Sequence, residues 1–113
     1  MDIKTIFKQN RDLSIVLAVY SILALTLITF FQYNVGGDGA SYISIANYYA
    51  TGNWNDMING YWSPFYSWLV APFLVSGFDP FFAVAVSRCV SLVIGFFTII
   101  GFYRLAETFK IDG

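Results

Sequence analysis

The sequence predicts an all-α integral membrane fold: two transmembrane helices joined by an external loop with short juxtamembrane helices. Three observations predict it. Of the 113 residues, 58% are hydrophobic and only 12% charged, whereas soluble domains carry about 25% charged residues. Two apolar runs are long enough to cross a bilayer. The charges segregate, with no Lys or Arg between Phe30 and Pro80.

The first run is residues 13–31, "LSIVLAVYSILALTLITFF", inside an interval without charge from Asp12 to Asp38. A helix of about 19 residues rises about 28 Å, close to the hydrocarbon thickness. Its polar members are Ser and Thr, which can bond back to their own helix. The run exceeds the roughly 7–15 apolar residues of a secretory signal, and no clear A-x-A cleavage site follows. The segment reads as an uncleaved anchor.

Next comes "VGGDGASYISIANYYATGNW", residues 35–54. Tyr42, Ile45, Ala46 and Tyr49 recur at helical spacing, which predicts an amphipathic helix over residues 40–51. Gly52 suits its stop and Asp38 or Ser41 its N-cap. Gly36, Gly37 and Gly39 are expected to supply a sharp turn at the bilayer surface. They do not form a nucleotide fingerprint, because no strand precedes them and the G-x-G-x-x-G order is absent.

The middle segment, "SPFYSWLVAPFLVSGF", has an apolar core of about 11 residues, about 16 Å as a helix and half of a crossing. Pro72 interrupts it. The expectation is an interfacial or re-entrant helix over residues 64–76, with Tyr61, Trp62, Tyr66 and Trp68 at headgroup level. Asp79-Pro80 then reads as an N-cap and first helical residue. The last run, residues 81–103, "FFAVAVSRCVSLVIGFFTIIGFY", is a second transmembrane helix carrying one charge, Arg88.

Basic residues set the orientation. Lys4, Lys8 and Arg11 precede the first span, and Arg104 and Lys110 follow the second. The positive-inside rule puts residues 1–12 and 104–113 in the cytoplasm and residues 32–80 outside. An even number of crossings satisfies this, which favours an interfacial or re-entrant middle segment over the third span that a helix beginning near Tyr61 would make.

Composition also excludes functions. A net charge of −1 supplies no basic surface for nucleic acid. The absence of histidine removes Ser-His-Asp and Cys-His catalysis and the common zinc sites from these residues. The single cysteine, Cys89, cannot form an internal disulfide, and its apolar run suggests a buried, inert thiol.

Taken in order, a first span, "GGDGASYISIANYYATGNW", "GYWSPFYSWLVAPFLVSGFDP" and "AVSRCVSLVIGFFTIIGFYRLAETF" resemble the N-terminal part of GT-C superfamily membrane glycosyltransferases. The likeness is to the branch of dolichyl-phosphate-mannose protein mannosyltransferases and lipid A aminoarabinose transferases. In that branch an acid opens the first external loop, typically as D-x-x-x-Y, which Asp38 and Tyr42 match. A short helix, an aromatic and proline segment, and a span beginning near an Arg follow. Family members often have two prolines where this chain has Ser63-Pro64. They run to several hundred residues with many more spans, so the resemblance implies one part of a longer or split enzyme.

The chemistry so implied is transfer of a sugar from a polyprenyl-phosphate donor to an acceptor on the external face. The family's loop acid serves as base or in holding a metal, which makes Asp38 the candidate catalytic residue and leaves a divalent cofactor open. Arg88, Tyr42 and Trp62 are the candidate substrate-binding residues; no residue is assigned to a metal. Each has a plainer account. Asp38 can simply cap a helix, Arg88 can anchor a helix end, and Trp54, Trp62 and Trp68 can belong to an interface belt. An Arg in an apolar helix costs about 2.5–3.5 kcal/mol at the bilayer centre, less where it snorkels; a lipid phosphate or loop carboxylate would suit it. Asn55 and Asp56 read as a solvated loop that could also contact sugar hydroxyls. The expected partners are membrane lipid, the lipid-linked sugar and the remaining spans of the enzyme. The other function class is a small two-span subunit or scaffold without chemistry.

Overall fold

The computed structural model describes residues 10–32, 34–58 and 60–109. Among these the chain is helical and has no strand. The elements are α1 (Arg11–Phe30), α2 (Gly37–Thr51), α3 (Trp54–Met57), α4 (Pro64–Val70), a 3-10 turn (Ala71–Phe73) and α5 (Pro80–Thr108). The chain divides into two compact units, residues 1–29 with 92–113, and residues 30–91. Lys4, Lys8 and Lys110, which enter the orientation argument, lie outside the described residues.

α1 and α5 are the two helices long and apolar enough to cross a membrane. At 20 and 29 residues they extend about 30 and about 43 Å. Only 6% and 11% of their most apolar windows are buried, so neither is a core helix among the described residues. Ile22 and Leu23 of α1 and Phe97 and Phe102 of α5 are exposed. Both helices outrun the expected spans of 13–31 and 81–103. α1 starts two residues earlier, with Asp12 in its first turn, where the helix dipole favours an acid, and it ends one residue earlier. α5 runs on to Thr108, its last turns carrying an Arg104–Glu107 pair at 3.1 Å.

Several hydroxyls inside these helices are satisfied locally, as expected. Ser14, Thr26, Thr98 and Thr108 each bond the carbonyl four residues back. Tyr20 does not. Its hydroxyl donates to the Leu92 carbonyl at 3.0 Å, and the ring occupies space that Gly95 leaves open: a Cβ there would meet Tyr20 Cζ at 2.8 Å.

In the other unit α2 packs on α3, α4 and the 3-10 turn. Ile43, Ala46, Val70, Ala71, Leu74 and Ala83 form the buried cluster. Three of the six are alanines, which let backbones approach closely. Ser67, fully buried, donates to the Tyr42 carbonyl at 2.9 Å and ties α4 to α2.

α2 begins at Gly37, three residues before the expected start, and neither Asp38 nor Ser41 caps it. The N-cap is Gly36, in an extended conformation without a side-chain bond. Asp38 sits in the first turn, and Ser41 bonds back to the Gly37 carbonyl. A first-turn acid complements the dipole without capping. The expected glycine turn is absent as well: among the described residues positive φ occurs at Gly52 and Gly77. Gly52 does stop α2. At φ 70° it brings its own N–H to Tyr49 O and that of Asn53 to Tyr48 O, a Schellman arrangement.

The helix expected over residues 64–76 is α-helical only as far as Val70. Pro72 lacks the N–H that a continuing α-helix would use, and the chain tightens into the 3-10 turn and leaves it at Leu74. α3 was not anticipated; Asn53 Nδ2 donates to Asp56 Oδ2 across it at 2.7 Å. Asp79 caps α5 as expected, accepting from the Phe81 N–H at 3.2 Å. Cys89 is exposed rather than buried, because it falls on an outer face of α5.

Candidate functional site

The unit of residues 30–91 contains a half-open cavity of about 480 Å³. Four segments build it. Val35 and Gly36 come from the connection after α1, and Asp38, Gly39, Tyr42 and Ile43 from the first turns of α2. α4 supplies Tyr66, while α5 supplies Val84, Ser87, Arg88 and Ser91. The order follows helical spacing: Asp38 and Tyr42 are four apart, as are Val84, Arg88 and the pair Ser87 and Ser91, so each set shares a face.

Three of the four candidate residues thus meet at one cavity: Asp38, Tyr42 and Arg88. The fourth, Trp62, is not among the lining residues. Its ring meets Tyr42 edge-on at 5.3 Å, and Tyr42 meets Tyr66 in the same way at 5.6 Å. Such pairs favour a fixed ring orientation, so Trp62 acts on the cavity by holding Tyr42. Trp68 packs edge-on against Tyr49 at 6.0 Å, and Trp54 is exposed.

Asp38 is exposed, and no hydrogen bond or ion pair engages its carboxylate among the described residues. Arg88 pairs with no loop carboxylate among the described residues. Its guanidinium donates instead to the Asn34 carbonyl, in the segment that follows α1. One N–H satisfies that carbonyl, and a guanidinium has five to give.

Tyr66, Ser87 and Ser91 were missed. The Tyr66 hydroxyl lies 2.7 Å from the Ser87 carbonyl, 2.7 Å from Ser87 Oγ and 2.8 Å from Ser91 Oγ. The signal was present in the sequence as two serines four apart in the apolar run 81–103, flanking its single charge.

Asp38 is the one carboxylate lining the cavity. Among the described residues no three His, Cys, Asp or Glu side chains gather as a metal site. A divalent cation takes six or more oxygen ligands, so a cation beside Asp38 would draw the others from substrate or water. Compared with known proteins, the chain matches no family model, no curated protein and no solved structure.

Proposed function

We propose that these residues are the N-terminal module of a membrane glycosyltransferase, moving a sugar from a polyprenyl-phosphate donor to an acceptor on the external face of the cell membrane. Both termini are cytoplasmic in this reading, and α1 and α5 are the spans. One observation supports it: Asp38 and Arg88, an acidic and a basic residue far apart in sequence, line the same cavity together with Tyr42.

The chemistry needs those two charges in different places. The acceptor oxygen forms a bond to the anomeric carbon while the bond from that carbon to the phosphate oxygen breaks. The electron pair leaves with the polyprenyl phosphate, and the acceptor's proton passes to the Asp38 carboxylate. An unengaged carboxylate is free to take it. The guanidinium of Arg88 complements the phosphate charge that grows as the donor bond breaks.

The test compares Asp38→Asn with Asp38→Ala in the protein in its native membrane, scoring abundance and sugar transfer. Asn preserves shape and polarity but cannot accept the proton. Both variants are expected at parental abundance, with transfer reduced by about 10²–10⁴-fold. If Asp38→Asn transfers sugar like its parent, Asp38 is not the base. If no transfer depends on this chain at all, it is a two-span subunit without chemistry.

A further inference from the structure

The three hydroxyls of Tyr66, Ser87 and Ser91 can make all their contacts at once in one arrangement of protons only. A carbonyl only accepts, and a phenol has one proton. The Tyr66 proton therefore goes to Ser87 O, leaving Ser87 Oγ and Ser91 Oγ as the donors to Tyr66 Oη. This departs from the chain's habit, since Ser14, Thr26, Ser41, Ser44, Thr51, Thr98 and Thr108 all turn to a carbonyl of their own helix.

With both protons committed to Tyr66, each serine oxygen keeps lone pairs and has no proton to offer. Both serines line the cavity, with Asp38 contributing a further acceptor-only group. These acceptors face a half-open cavity, where a bound ligand with hydrogen-bond donors can meet them.

We infer that the Ser87–Ser91 pair, set by Tyr66, is the specificity subsite that reads ring hydroxyl or amino groups of the bound sugar as hydrogen-bond donors. The inference rests on the sugar-transfer reading of the cavity and adds which atoms choose the sugar. A ligand lacking the matched donor loses one hydrogen bond without gaining another. In a half-open site that is worth about three- to tenfold in affinity.

The experiment measures binding to the full protein in nanodiscs. Its probes are farnesyl-phosphate-linked glucose, the monodeoxy analogues of that compound, and farnesyl phosphate with no sugar. The parent is expected to prefer the glucose probe over at least one monodeoxy analogue by that factor. Ser91→Ala and the double variant Ser87→Ala/Ser91→Ala should lose the preference while holding farnesyl phosphate as the parent does. Ser91 is exposed, so its variant tests the idea without disturbing the core. Three results overturn the inference: a parent without the preference, variants that retain it, or an equal loss for the probe without sugar. Its failure is separable from that of the transferase reading. Transfer that depends on Asp38 but ignores the serines refutes only the subsite, and discrimination without transfer refutes only the reaction.

Discussion

The Tyr20 hydroxyl of α1 donates to the Leu92 carbonyl of α5 at 3.0 Å, bridging residues 72 positions apart. The bond exists because residue 95 has no side chain: a Cβ on Gly95 would press into the tyrosine's hydroxyl and ring. A hydrogen bond between helices in an apolar setting contributes about 0.6 kcal/mol on average. The shape match around it counts for more.

Gly95→Ala should therefore destabilise the pairing of α1 with α5 by about 1–3 kcal/mol, the usual cost of overpacking. The check is thermal unfolding of purified protein in mild detergent, run as a cycle with Tyr20→Ala. With the ring removed, Gly95→Ala should cost almost nothing. An equal cost in both backgrounds would mean that Tyr20 and Gly95 act independently.

Glycines that look alike in sequence should respond differently. Gly52 holds φ 70°, where an alanine is strained by about 1–2 kcal/mol; Gly36 sits at φ −66° with nothing within 4 Å of an added Cβ. Gly52→Ala should lower the midpoint of thermal unfolding, and Gly36→Ala should leave it near the parental value. Equal responses would contradict the Schellman stop of α2.

The orientation reading makes its own demand. A cysteine replacing Asn55, in a background where Cys89 is Ser, should react with a membrane-impermeant thiol reagent added to intact cells. A cysteine replacing Lys110 should react only after lysis. The reverse pattern would invert the topology, and reaction at both positions would rule out two crossings.

Much of this was legible in the residues because two kinds of signal are local. Apolar length announced α1 and α5, and the stops at Gly52 and Pro72 follow from what those residues do to the backbone. The start of α2 was misread because Asp38 is as well suited to a first turn as to a cap, and only the backbone of Gly36 decides between them. The candidate site divides in the same way. Asp38, Tyr42 and Arg88 were each visible as a polar exception in greasy surroundings, and they do line one cavity. Tyr66 resembled just another interfacial aromatic, because its role depends on two serines more than 20 positions away. Trp62, singled out by its type, does not line the cavity, and its ring meets Tyr42 edge-on.

Arg88 and Asp38 line one cavity, and neither neutralises the other; the ion pairs among the described residues are Arg11–Asp12 and Arg104–Glu107. Opposite charges held apart beside low-dielectric walls create a standing electric field across the space between them. A guest with a negative end and a proton-donating end is turned by that field before it touches either residue. The guanidinium is engaged by the Asn34 carbonyl and not by the Asp38 carboxylate. In the sugar-transfer reading, the donor would enter with a heading as well as a fit, and reversing it end for end would set it against the field.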